Sequence, residues 1–235
     1  MEATIGGLSY KMDIKNNINL FNSEVTRLGG RLIAVGKTQP PEKLLEAYEA
    51  GQRIFGENKV QEMTVKYEVL PKDIAWHMIG HLQSNKVKYI APFVALIHSV
   101  DSVRLMEEIH KQGKKIDRVV PCLLQVHIAQ EETKFGFDDN ELYSIMENQA
   151  TSERRFLRID GLMGMASLTE DKEKIRREFR HLKSIFQTLQ SRKLPANAKM
   201  TELSMGMSSD YRIALEEGST LVRIGTAIFG ERLGA

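Results

Sequence analysis

Short apolar runs alternate with amphipathic helical stretches along the whole chain, and no other feature limits the fold as tightly. The runs fall near residues 32–35, 53–55, 75–79, 95–98, 119–126, 158–162, 200–203 and 221–224. Strands separated by helix-length segments cannot pair as hairpins, so they run parallel with the helices as crossovers. Eight repeats predict closure into a single (β/α)8 TIM barrel of the α/β class, with an open doubly wound sheet as the alternative. Ahead of the first strand, Ile14, Ile18, Phe21, Val25 and Leu28 form one helical stripe that Gly29-Gly30 stops, which predicts an extra N-terminal helix. Pro40-Pro41 opens a helix carrying Leu44, Leu45 and Tyr48 and closed by Gly51. Asp101 is expected to cap the next, and the spacing of Ser167 and Glu170 reads as a capping box before Ile175 and Phe179. Residues 1–11 lack periodicity, leaving a disordered extension or a start at Met12 as the readings; residues 12–235 read as one domain.

The 235 residues are enough to bury a core without disulfides or structural metal. A net charge of +2, from 33 basic and 31 acidic residues, gives no footprint for nucleic acid or an anionic membrane. The longest apolar run, 90–97, contains a proline and is too short to span a bilayer. The first residues show no basic segment followed by an apolar one, so no signal peptide is expected. The lone Cys122 reads as a small core residue in a reducing compartment, and a cytoplasmic protein is expected. The basic stretch 172–183 also carries Glu173 and Glu178 and reads as a solvated helix face.

In a barrel, function gathers at the carboxyl ends of the strands. That rule selects Lys37, Glu57 with Asn58, His77, a loop over 204–208 after the seventh strand, and residues 223–226. A lysine at an apolar strand end is partly desolvated, which favours the neutral amine needed for Schiff-base chemistry; an ordinary surface lysine is the plain alternative. Gly36-Lys37-Thr38 imitates a P-loop, but Arg31 stands where the first glycine belongs. Gly225 allows close approach of a phosphate, and Thr226 adds a hydroxyl and helix-start N–H groups. With the 204–208 loop, this places a phosphate site after strands seven and eight. Arg223 is a candidate donor to a ligand nitrogen, or a partner in a barrel ion pair. His77 and His81 have metal-ligand spacing but straddle a strand end without an HExxH pattern, so no metal is expected. No Ser-His-Asp set or paired carboxylates appear.

Five strings carry a resemblance: AVGKT at 34–38, FGENKVQE at 55–62, WHMIGHLQSNK at 76–86, LSMGMS at 203–208 and GSTLVRIGTAIFG at 218–230. In this order they resemble the pyridoxal phosphate homeostasis protein family from about Ile14 to Gly230. The resemblance implies a barrel like the N-terminal domain of alanine racemase, binding pyridoxal 5′-phosphate. It implies that Lys37 forms the aldimine and that Ser204, Gly225 and Thr226 hold the phosphate. Arg223 would face the pyridine nitrogen, and Asn58 and His77 would line the pocket. Gly36 and His127 depart from the serine and asparagine frequent in relatives, and could alter the polarity of the pocket. The implied function is cofactor homeostasis and delivery to pyridoxal-phosphate-dependent apo-enzymes, by a monomer without catalytic turnover. The alternatives are a pyridoxal-phosphate-dependent amino-acid racemase or decarboxylase, with Tyr211 or His77 as base, and a cofactor-free Schiff-base lyase using Lys37.

Overall fold

The computed structural model describes residues 13–129 and 135–230, together with the backbone of the strands β1 (Glu2–Ile5) and β2 (Leu8–Lys11). These two strands pair antiparallel in a small sheet of their own. Met12 and residues 231–235 lie outside the described residues.

α1 (Ile14–Arg27) is the extra N-terminal helix, with Asp13 accepting the Asn16 N–H as its cap. It buries Ile14, Ile18, Phe21 and Val25, and the chain leaves it through Gly29 at φ +83°. There follow β3 (Arg31–Val35), α2 (Pro41–Glu49), β4 (Ile54–Glu57), α3 (Val60–Val69), β5 (Ala75–Met78), α4 (Val87–Ile90), β6 (Leu96–Val100) and α5 (Val103–Lys115). The second half comprises β7 (Val120–Gln125), α6 (Asp139–Glu147), α7 (Gln149–Glu153), β8 (Leu157–Met163), α8 (Lys172–Gln190), β9 (Ala198–Met207), α9 (Tyr211–Glu216), β10 (Leu221–Ile224) and α10 (Thr226–Phe229). The strands β3 to β10 pair parallel in sequence order, and β10 returns to β3, with Val222 opposite Leu32, to close the barrel. The chain is thus an α/β TIM barrel, and the open-sheet alternative is excluded by that closing pair.

Inside the barrel, Ile33, Leu96, Leu123, Met163 and Leu221 form a buried cluster separate from the larger core between strands and helices. Side chains two residues apart share a strand face. Two residues further on, His98, Gln125 and Arg223 are buried polar groups, so the interior gains polar side chains toward the carboxyl ends of the strands.

Three local expectations are corrected. Ser102, not Asp101, caps α5 by accepting the Leu105 N–H, because the Asp101 carboxylate is engaged with His81 at 3.2 Å. Ser167 does not start a capping box; its N–H and hydroxyl both donate to the buried Glu178 carboxylate at 2.7 Å, and Asp171 caps α8. The segment expected as a loop over 204–208 is strand as far as Met207, turned by Gly206 at φ +94°. That extension places Ser204 inside the barrel.

Candidate functional site

A cavity of about 450 Å³ opens at the carboxyl ends of the strands, between β3, β4, β5 and the β8–β10 side. Lys37 lies on its wall just past β3, Asn58 past β4, and Arg223, Gly225 and Thr226 at the end of β10. Met165 and Met207 supply apolar wall, and Ser208 and Ser209 line it beside Gly225, whose N–H donates to the Ser208 hydroxyl at 3.4 Å.

Lys37 sits in a tight turn closed by the Gln39 N–H donating to the Gly36 carbonyl at 3.0 Å. The turn forces Thr38 to φ +63°, a region costly for a β-branched residue, and the Glu62 carboxylate holds it by accepting the Thr38 N–H at 2.8 Å. From behind, the buried Lys66 ammonium donates to the Gly36 carbonyl at 2.8 Å and to Glu57 at 2.7 Å. Burial pushes the Glu57 carboxyl up to about 7, with Lys66 opposing. Lys37 is therefore presented by a turn clamped to the barrel wall.

At β10, Arg223 donates to the Ser204 carbonyl at 3.1 Å, the Ser204 hydroxyl at 2.5 Å and the Gly164 carbonyl at 3.2 Å. Burial lowers its guanidinium to about 10, with Asp210 opposing, which leaves it a cation at neutral pH. Asp210 in turn accepts the Met207 N–H at 2.6 Å and fixes the turn carrying Ser208 and Ser209. A β-carbon on Gly225 would lie 3.0 Å from the Val35 carbonyl oxygen, so only the bare backbone passes this close to the end of β3. A small-side-chain wall with hydroxyls and the N–H groups of a chain turning into a helix suits an anionic group.

Five of the seven expected site residues line this cavity: Lys37, Asn58, Arg223, Gly225 and Thr226. Ser204 and His77 do not. Ser204 is fully buried below the cavity, its hydroxyl between Arg223 and His98 Nδ1 at 2.9 Å. His77 Nδ1 meets His98 Nε2 at 2.9 Å in the same layer, while His81 turns outward to Asp101. Burial, with the Arg31 charge behind it, brings the His77 imidazole down to about 3, and burial holds His98 well below the usual histidine range. Sequence reasoning selected Glu57 by its place at a strand end but not its partner Lys66, and gave no role to Ser209. His98 stands two residues beyond Leu96, but only the structure shows that this face of β6 turns inward. Among the described residues no group of three His, Cys, Asp or Glu side chains is placed to hold a metal, and no helix is long and apolar enough to cross a membrane.

Residues 12–233 match the family described as alanine racemase, N-terminal domain. The pyridoxal phosphate homeostasis protein of Aquifex aeolicus is 43% identical over 203 residues, covering 86% of this chain and 87% of the relative. The human protein of the same name is 39% identical over 212 residues, covering 86% and 76%. PipY of Synechococcus elongatus, solved with PLP bound, superposes with a TM-score of 0.81 at 35% identity, covering 92% of this chain and all of that one. Alanine racemase from Bartonella henselae shares the fold at a TM-score of 0.68 and 16% identity, this chain covering 60% of its length. The motifs, the closed barrel and these relatives agree: the chain belongs to the pyridoxal phosphate homeostasis proteins of the alanine racemase N-terminal-domain family.

Proposed function

We propose that this protein binds pyridoxal 5′-phosphate in the cavity, holds it as an aldimine of Lys37, and serves its homeostasis and delivery rather than a catalytic turnover. The observation that carries the reading is one cavity bounded by Lys37, by the cationic Arg223 and by the Ser208, Gly225 and Thr226 wall. A lysine, a donor for a ring nitrogen and an anion-accepting backbone are the groups the cofactor's aldehyde, pyridine and phosphate require. The Lys37 amine would hold the aldehyde carbon as a C=N bond, releasing water as it forms; hydrolysis would return the free aldehyde, and an incoming amine such as an apo-enzyme's lysine would carry the cofactor off as its own imine. In the same reading residues 12–235 act as one cofactor-binding domain, as a monomer in the cytoplasm. Ser208 takes the phosphate-facing place that the resemblance gave to Ser204, which supports Arg223 instead.

The racemase or decarboxylase alternative needs a proton acceptor beside the cofactor. The Tyr211 hydroxyl donates to Glu24 at 2.9 Å, and Tyr211 is not on the wall of this cavity. Its phenol is pushed up to about 12 by burial and by Glu24. The His77 imidazole, buried and beside the Arg31 charge, is brought down to about 3, far below the pH of a working base. These placements favour carriage.

The test is the visible spectrum of the protein with pyridoxal phosphate, beside Lys37→Ala, before and after borohydride. An imine band in the parent alone, fixed by reduction onto Lys37, is expected, with no change in a pool of free amino acids. Absence of the band in the parent, or an equal band in Lys37→Ala, overturns the aldimine. Sustained racemisation that vanishes in Lys37→Ala overturns the non-catalytic reading.

A further inference from the structure

We propose that His98 is a positioning residue of this site. By accepting from Ser204 and donating to His77 it imposes one direction on the hydrogen bonds running from Arg223, so that His77 presents an N–H and no lone pair at its outer nitrogen, Nε2. The inference rests on the cofactor-binding reading for its purpose, but its geometry stands on the protein alone.

Four side chains from four strands form the chain: Arg223 on β10, Ser204 on β9, His98 on β6 and His77 on β5. The contacts are 2.5 Å, 2.9 Å and 2.9 Å, and the four residues are at most 6% exposed. Arginine has donors only, so the Ser204 oxygen accepts from it. The serine's own proton then has one acceptor within reach, His98 Nδ1. His98 is neutral beside the Arg223 cation, so with Nδ1 accepting it carries its proton on Nε2. That N–H donates to His77 Nδ1, and His77 in turn carries its proton on Nε2. The opposite direction would leave the Ser204 hydroxyl proton buried with no acceptor, because its recorded contacts are Arg223 and His98 alone among the described residues. The permanent charge at one end thus sets both imidazole tautomers. His77 Nε2 has no hydrogen-bond partner among the described residues, so its N–H is the end the chain leaves for a ligand acceptor or water.

The chain also ties the two sides of the cavity together. Arg223 is on its wall, and His77 stands two residues before Ile79, which lines the opposite side. An apolar ring at position 98 keeps the volume but breaks both bonds. A glutamine carries an acceptor and a donor at nearly the separation of the two ring nitrogens, and can restore the direction.

The experiment is long-range nitrogen–proton NMR of the histidine-labelled protein without ligand, on the parent, His98→Phe and His98→Gln. Alongside it, pyridoxal phosphate affinity is read by titration of the visible band. The expected result is the Nε2–H tautomer for both His77 and His98 in the parent. His77 loses the fixed tautomer and affinity falls about tenfold in His98→Phe, and both recover in His98→Gln. An Nδ1–H tautomer at His77 in the parent overturns the inference, as does a His98→Phe protein with unchanged tautomer and affinity. If His98→Phe fails to fold, the parent tautomers and the His98→Gln affinity decide. A parent that binds no pyridoxal phosphate refutes the cofactor reading, while the tautomer result still decides the hydrogen-bond direction.

Discussion

Lys66→Met removes the ammonium that neutralises Glu57 behind the Lys37 turn, and its cost can be worked from the geometry. At 2.7 Å the pair attracts by roughly 6 kcal/mol at an effective dielectric near 20. Desolvation of two buried ions costs several kcal/mol each, so the intact pair is close to neutral in net stability. Removing one partner is a different matter. The Gly36 carbonyl loses its 2.8 Å donor, worth about 1–3 kcal/mol at any pH. Glu57 adds a pH-dependent part. Its folded-state pKa of about 7 stands above the 4.5 of an ordinary glutamate, so stability present below 4.5 is lost as pH rises toward 7 in the parent. Without Lys66 that pKa rises further, and the loss continues above 7 at about 1.4 kcal/mol per pH unit. The deficit of Lys66→Met is therefore about 1–3 kcal/mol at pH 5.5 and about 1.4 kcal/mol larger at pH 8, consistent with the usual cost of breaking a buried pair. Urea unfolding at both pH values measures it, with the Glu57→Gln/Lys66→Met double variant beside it. The double variant has no titrating group here, so its deficit against the parent does not grow with pH but shrinks by about 2 kcal/mol from pH 5.5 to 8, as the parent alone bears the cost of ionising Glu57. A single-variant deficit that does not grow with pH would refute the argument.

Three further outcomes follow from particular contacts. Gly225→Ala places a β-carbon 3.0 Å from the Val35 oxygen and 3.2 Å from its β-carbon, so it should cost about 1–3 kcal/mol in thermal unfolding and weaken pyridoxal phosphate binding in titration. Thr38→Gly relieves a left-handed threonine, worth about 1–2 kcal/mol, against the extra unfolded-state freedom of glycine of up to about 1 kcal/mol. A net gain of up to about 1 kcal/mol in urea unfolding is expected, and a loss would refute the strain argument, because the Glu62 contact is to the backbone N–H that glycine keeps. Cys122 is fully buried and its thiol is pushed up by burial, so thiol reagents should leave it unmodified in the native protein and label it fully in urea.

The chain itself determined the architecture. Short continuous apolar runs and period-3.6 stripes follow from local geometry, so the eight strands, the N-terminal helix and the stops at Gly29 and Gly51 could be read from residues alone. The strand-end rule likewise picked out Lys37, Asn58, Arg223, Gly225 and Thr226, because the carboxyl ends of barrel strands converge whatever the loops do. Cap residues were less legible: Asp101 and Ser167 had the right chemistry for caps, but His81, in the loop after β5, and Glu178, within α8 itself, claimed them first. What only the tertiary structure decided was the inside of the barrel. A strand buried on both faces shows no alternation of polarity, so its residues do not say which face turns inward. Ser204, His98, His77 and Arg223 are separated by up to 146 positions, the difference between 77 and 223, and no local pattern links them. Closure of β10 onto β3 brings them within hydrogen-bond reach, and there the one donor-only cation orders the rest.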